Sequence, residues 1–160
     1  KKRDIWEGGH RIPFIARWPG MIEAGATNRQ TICLTDLTAT AAEISNAELP
    51  KNAAEDSYSI LPALTGDAKT PIREATVHHS SNGVFSIRKG NWKLIVGRGS
   101  GSNNYKDWKP TTNSPSGQLY NIAADISEKE NVYSDHPATV TELTELLERY
   151  KKQGYSRPMQ

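Results

Sequence analysis

Cysteine is nearly absent: Cys33 is the only one in the chain, so no internal disulfide can staple the fold. It lies in the apolar-leaning run Ile32-Cys33-Leu34 and reads as a small buried hydrophobe rather than a nucleophile. No apolar run approaches the roughly 18–20 residues that a membrane-spanning helix needs, and no signal-peptide pattern or internal repeat is visible. Mean hydropathy is −0.67 with 36% hydrophobic residues, a lean core for 160 residues. Neither sign of charge dominates. Twenty basic residues against 18 acidic ones leave +2, interspersed rather than striped, which gives no electrostatic case for nucleic acid. The length suits one domain or a domain and a half, enough to bury roughly two thirds of the unfolded surface.

What the chain does carry is concentrated at its start. Lys1-Lys2-Arg3-Asp4-Ile5-Trp6-Glu7-Gly8-Gly9-His10-Arg11-Ile12-Pro13-Phe14 is followed by Trp18-Pro19-Gly20. Two adjacent glycines lack Cβ atoms, so the backbone can turn sharply there or approach another segment closely. Ile12, Phe14, Ile15 and Trp18 read as a buried strand over 12–18, apolar on both sides, as in a sheet covered on both faces. Lys2 is a compact cation placed to sit opposite an anion, and Glu7 with Arg11 reads as an internal ion pair holding the turn.

The spacing Lys2-x4-Glu7-Gly8-Gly9-x-Arg11-x-Pro13, closed by Trp-Pro-Gly, resembles the formylglycine-dependent sulfatases of the arylsulfatase type, in the alkaline phosphatase superfamily. The resemblance continues through Asp36 to Ile44, through Asp56-Ser57-Tyr58 to Gly66, and through Asn91-Trp92-Lys93-Leu94-Ile95. It ends on Gln118-Leu119-Tyr120-Asn121-Ile122, Asp125 and Glu128 to Asn131. No single piece is specific, but their order over nearly all of the chain is.

A change of pattern near residue 73 divides the chain into 1–73 and 74–160. The first part carries the 12–18 strand, a turn at Glu23-Ala24-Gly25-Ala26, a helix over 36–46 and a proline-punctuated connector. Asp36 is the expected N-cap of that helix, Leu37, Ala41 and Ile44 its shared face, and Asn46 its left-handed end. The second part reads as strands at 77–80, 84–88, 91–96 and 118–122, with a hairpin at Lys89-Gly90. A final helix over 137–153 carries the apolar stripe Val140, Leu143, Leu146, Leu147 and Tyr150, stopped by Gly154. A small antiparallel sheet packed by this helix is the economical architecture for 74–160.

Between the hairpin and the fourth strand, Gly97 to Gly117 forms a long glycine-rich, polar loop. It is no nucleotide loop, because no Gly-Lys-Ser/Thr follows. Tyr105 and Trp108 with Arg98, Lys106 and Lys109 suit stacking on a sugar ring beside an anionic group; a mobile surface hairpin is the other reading. His78 and His79, adjacent on a strand, point to opposite faces and cannot both ligate one metal.

The resemblance implies an α/β fragment of alkaline phosphatase-like fold. Residues 1–73 would be the tail of the catalytic domain, and 74–160 a C-terminal α+β subdomain. Lys2 would be the family's sulfate-contacting catalytic lysine, with no metal ligand in this chain; the residues themselves put forward His79 and Trp108 as substrate-binding positions, a satisfied structural histidine being the other reading of His79. In that family a Cys or Ser in Cys/Ser-x-Pro-x-Arg becomes formylglycine, and calcium is held by Asp and Asn side chains. This chain has no such motif, since Cys33 is followed by Leu34-Thr35-Asp36 and Ser114 by Pro115, and it lacks the clustered acidic ligands. The expectation is therefore an inactive C-terminal piece of a sulfatase. Its partners would be the missing N-terminal half and a sulfated small molecule or carbohydrate, with no nucleic acid and no membrane. A beginning inside a motif, without Met, fits a cut piece of a longer protein, and the resemblance alone suggests a periplasmic or secreted setting. Two alternatives stand beside this one. A phosphatase or phosphodiesterase of the same superfamily would use a Thr or Ser nucleophile and two metals. A non-catalytic binding or scaffold module would need neither.

Overall fold

The structure is a computed structural model that describes residues 1–103, 111 and 113–158. Two compact units interleave in sequence: Lys1–Pro13 with Val77–Arg149, and Phe14–Thr76 with Tyr150–Gln160. The first thirteen residues group with the later strands because Ile5, fully buried, shares a core cluster with Ile95, Tyr120 and Ile122, against which Trp6 and Val84 pack.

In the first unit the strands β1 (Thr76–His79, its first residue lying in the second unit), β2 (Phe85–Lys89), β3 (Trp92–Ile95) and β4 (Gln118–Asn121) follow each other in one four-stranded sheet of order β1-β2-β3-β4. Ser80 N donates to Val84 O at 2.9 Å where β1 turns into β2. The next two pairs are antiparallel, with Arg88 opposite Lys93 and Lys93 opposite Tyr120. The expected hairpin is present with its turn one residue later. Lys89 pairs with Trp92, and Gly90 takes the positive φ of +57°.

Directly opposed residues share a face, so Ser86, Arg88, Lys93, Ile95, Gln118 and Tyr120 form one side of the sheet, and Ile87, Leu94 and Leu119 the other. The four-residue helix α1 (Glu7–His10) carries groups to the first side. The long helix α4 (Pro137–Gln153) buries Leu143, Leu146 and Leu147, as its stripe predicts. Lys89 Nζ meets Glu142 at 2.9 Å and the Trp92 ring meets His136, which ties α4 to the hairpin end. Gly154, at φ +78°, stops the helix by donating to Tyr150 O.

The second unit contains a 3₁₀ turn (Leu34–Asp36) running into α2 (Leu37–Ile44), and α3 (Leu61–Thr65). Within the proline-punctuated connector, Pro62 sits in the first turn of α3, where a missing N–H costs nothing. Asp36 does not cap α2 through its side chain. Fully buried, it accepts from Cys33 N at 2.7 Å and Tyr58 N at 3.1 Å, and takes both of its bonds to Arg73 Nη1 at 2.9 Å. The shared face expected for α2 is corrected too. Leu37 and Ile44 are each 47% exposed, and the buried side is Ala39 and Thr40. Polar anchors set that choice: Thr40 Oγ1 accepts from Ile60 N, and Ala39 N donates to Ser57 Oγ. Asn46 ends the helix at φ +53°, as expected.

The 12–18 segment forms no strand, contrary to its apolar pattern, and Ile12, Phe14 and Ile15 are 56%, 40% and 92% exposed. A strand apolar on both sides needs neighbours for its backbone and for both faces, and the described residues of this chain supply none.

Candidate functional site

The residues preceding α1 form a turn. Asp4 N donates to Lys1 O at 3.1 Å, which places Lys2 and Arg3 at its two central positions. Lys2 is solvent-exposed while Asp4 is only 3% exposed and Ile5 is fully buried, so the burial of its neighbours fixes where Lys2 emerges. Of the two glycines, Gly9 is required by a close approach: a Cβ there would lie 2.1 Å from Asp4 O, while one on Gly8 would make only an ordinary contact.

Behind this turn lies a cluster of charge that sequence spacing does not reveal. Glu7 does not pair with Arg11, which is exposed. Its carboxylate meets Lys93 Nζ at 3.1 Å, His10 Nε2 at 3.3 Å and Arg88 Nη1 at 3.8 Å. Lys93, fully buried on β3, also reaches Glu128 at 2.7 Å. Glu128 Oε2 in turn accepts a short hydrogen bond from the backbone N–H of Glu7. Glu128 adopts a left-handed φ of +52° in the loop after β4, where Asp125 accepts from Lys129 N and Glu130 N. Lys93, Glu128 and His10 were absent from the sequence-based site. Lys93 stood within the family-resembling piece Asn91 to Ile95, but its place opposite the periodic apolar positions Trp92 and Leu94 by itself marks a solvent-facing residue.

His78 joins this cluster and His79 does not, as strand alternation requires. The His78 ring lies 4.0 Å from that of His10, and its buried Nε2 has no hydrogen-bond partner among the described residues. His79 is exposed; its Nδ1 lies 2.8 Å from Ser80 O, an acceptor only, so Nδ1 is the donor of that bond. Trp108, the third expected site residue, lies outside the described residues.

Electrostatics match the geometry. Burial by itself would raise the Glu7 carboxyl, but the His10 hydrogen bond and the Lys93 charge hold it down at about 2. Burial, reinforced by His10 and Lys93, depresses the His78 imidazole to about 3, so it is neutral in the folded protein. Both shifts act with the same sign. The unfolded chain takes up a proton at His78 below about 6.5 and at Glu7 below about 4.5, whereas the folded chain does not until about 3 and about 2. Their stability contribution is therefore complete above pH 6.5 and is lost as pH falls. Denaturant midpoints measured from pH 7 down to pH 4 should decline progressively. His78→Phe, which forfeits no bond at Nε2, should flatten the portion above pH 4.5. A wild-type midpoint constant over that range would contradict the assignment of a neutral buried His78.

Glu7, His10 and His78 offer ligand atoms within 4.8 Å of one another, the spacing of a metal triad. The ammonium of Lys93, 3.1 Å from Glu7 Oε1 and 3.5 Å from His10 Nε2, competes for that space. Glu7 and Glu128 are balanced by Lys93 and Arg88, so a divalent ion would add charge to a neutralised cluster. Calcium, which takes six to eight oxygens, does not fit a set with two imidazoles. This is an ion cluster that fixes α1 to the sheet.

Comparison with known proteins now becomes informative. The family model for the C-terminal region of N-sulphoglucosamine sulphohydrolase matches residues 1–153. The chain is 38% identical over 152 residues to an N-acetylgalactosamine-6-O-sulfatase of Bacteroides thetaiotaomicron, covering 94% of this chain and 29% of that protein. A solved Bacteroides thetaiotaomicron structure from work on the metabolism of multiple glycosaminoglycans superposes with a TM-score of 0.81 at 36% identity, over 94% of this chain and 31% of that one. A further solved structure, of a protein in complex with its substrate D-glucosamine-2-N,6-O-disulfate, gives a TM-score of 0.62 at 26% identity, over 86% of this chain and 27% of that one. The chain thus spans less than a third of the length of these relatives. From the order of its motifs, the four-stranded sheet with its terminal helix and these matches, the chain belongs to the N-sulphoglucosamine sulphohydrolase C-terminal family, the C-terminal portion of a sulfatase.

Proposed function

We propose that this chain is the C-terminal part of an enzyme that hydrolyses sulfate esters of carbohydrates. It supplies the sulfate-contacting Lys2, while the nucleophile and the calcium ligands lie outside these residues. The observation that carries the reading is the match over 94% of the chain to a 6-O-sulfatase acting on an amino sugar, together with an exposed Lys2 on a turn pinned by buried neighbours. A cation held at a fixed place can stabilise negative charge that grows on a sulfate oxygen as its ester bond breaks, because its orientation costs nothing at the moment of reaction. The exposed His79, together with Trp108, is proposed to contact the sugar. The exposed apolar run Ile12, Phe14 and Ile15 is proposed to complete the sheet of the N-terminal catalytic portion.

The complete protein containing this chain should release sulfate from 6-O-sulfated N-acetylgalactosamine or a related sulfated sugar, measured by ion chromatography. The 160-residue chain alone should release none and should show no tight calcium binding by isothermal titration. If the complete protein leaves sulfated sugars and aryl sulfates intact, or if the chain alone turns them over, the proposal fails.

A further inference from the structure

We propose that Asp4 is a positioning residue that sets the presentation of Lys2, in concert with Ser102 of the glycine-rich loop; this rests on the reading of Lys2 as the sulfate-contacting group. The Asp4 carboxylate is buried, and a buried carboxylate is retained only where hydrogen bonds compensate it. Its Oδ1 accepts a short bond from the Ser102 hydroxyl in the loop after β3.

The turn needs this restraint. Arg3 stands at the third position of the Lys1–Asp4 turn with φ +83°, the conformation that a type II turn reserves for glycine or asparagine. A side chain there persists only when the surroundings over-determine the backbone. The surroundings come from the segments after β1 and β3. Ser81 N donates to Arg3 O at 3.0 Å, and Ile5 N donates to Ser100 O at 2.8 Å. Gly101 lets the loop lie this close, since a Cβ there would meet Ser80 Oγ at 2.4 Å. Ser102 Oγ further contacts Ser100 Oγ at 3.2 Å. The segments after β1 and β3 therefore clamp the Lys2 turn, and Asp4 is the side chain through which Ser102 grips it.

The test uses the complete protein and kinetics on a sulfated sugar that it hydrolyses. Asp4→Ala should lower kcat on the order of tenfold to a hundredfold, because a displacement of about 1 Å at a charge-stabilising group has that cost. KM should stay within about threefold, since remote sugar contacts carry ground-state binding. In a Lys2→Ala background, Asp4→Ala should change kcat by less than about twofold, as groups acting through one another are not additive. Adding Arg3→Gly to Asp4→Ala should restore much of kcat, because glycine adopts the turn without the clamp. Ser102→Ala, which removes one hydroxyl, gives the same tests should Asp4→Ala fail to fold. Full additivity with Lys2→Ala, or no rescue by Arg3→Gly, overturns the positioning role. A normal kcat in Lys2→Ala alone overturns the sulfate-contact reading instead, and the two failures are told apart by that single variant.

Discussion

Lys93→Met should destabilise the sheet unit by about 3–5 kcal/mol, the cost typical of breaking a buried ion pair from one side. Lys93 is fully buried between two carboxylates whose side chains are 8% and 2% exposed, those of Glu7 and Glu128. Methionine fills nearly the same volume, so the loss is charge compensation and not packing. Arg88, 3.8 Å from Glu7, compensates only that one carboxylate. Urea denaturation followed by tryptophan fluorescence should show a clearly lower midpoint at unchanged slope. The triple variant Lys93→Met, Glu7→Gln, Glu128→Gln should recover most of the loss, since removing both signs together leaves no uncompensated charge. A Lys93→Met midpoint within error of wild type would mean that Lys93 is not the compensating cation.

Lys2→Ala should lower turnover of sulfate esters by the complete protein on the order of a hundredfold or more, since it removes a preorganised cation aimed at developing charge. Lys1→Ala, one residue away, should be nearly neutral by comparison. The contrast is informative because the two lysines are alike in chemistry and exposure, and differ only in their place on the turn. Lys1 begins the turn and Lys2 occupies its first central position. Steady-state kinetics with both variants decide the matter. Equal small effects would remove Lys2 from the catalytic proposal, and an effect confined to KM would make it a ground-state binding residue.

Local periodicity and motif order were sufficient for a good part of this protein. The 3.6-residue stripe of Leu143, Leu146 and Leu147 placed the long helix within the bounds Pro137–Gln153. Alternation about Gly90 gave the hairpin, and the left-handed positions Asn46 and Gly154 were legible because few residues tolerate that backbone. The ordered sulfatase-like pieces gave the family. Tertiary structure decided what lies far apart in sequence. Glu7 looked to Arg11, four residues on, but found Lys93, because burial against the sheet brings a residue 86 positions away within 3.1 Å. Lys93 itself alternates like a solvent-facing strand residue, and only α1 and the Glu128 loop covering that face make it buried. In the 12–18 segment and the Leu37–Ile44 face of α2, apolar pattern indicated burial and the structure shows exposure. A hydrophobic pattern records that a surface is to be covered, while which surface covers it is settled only by the segments that the fold brings together.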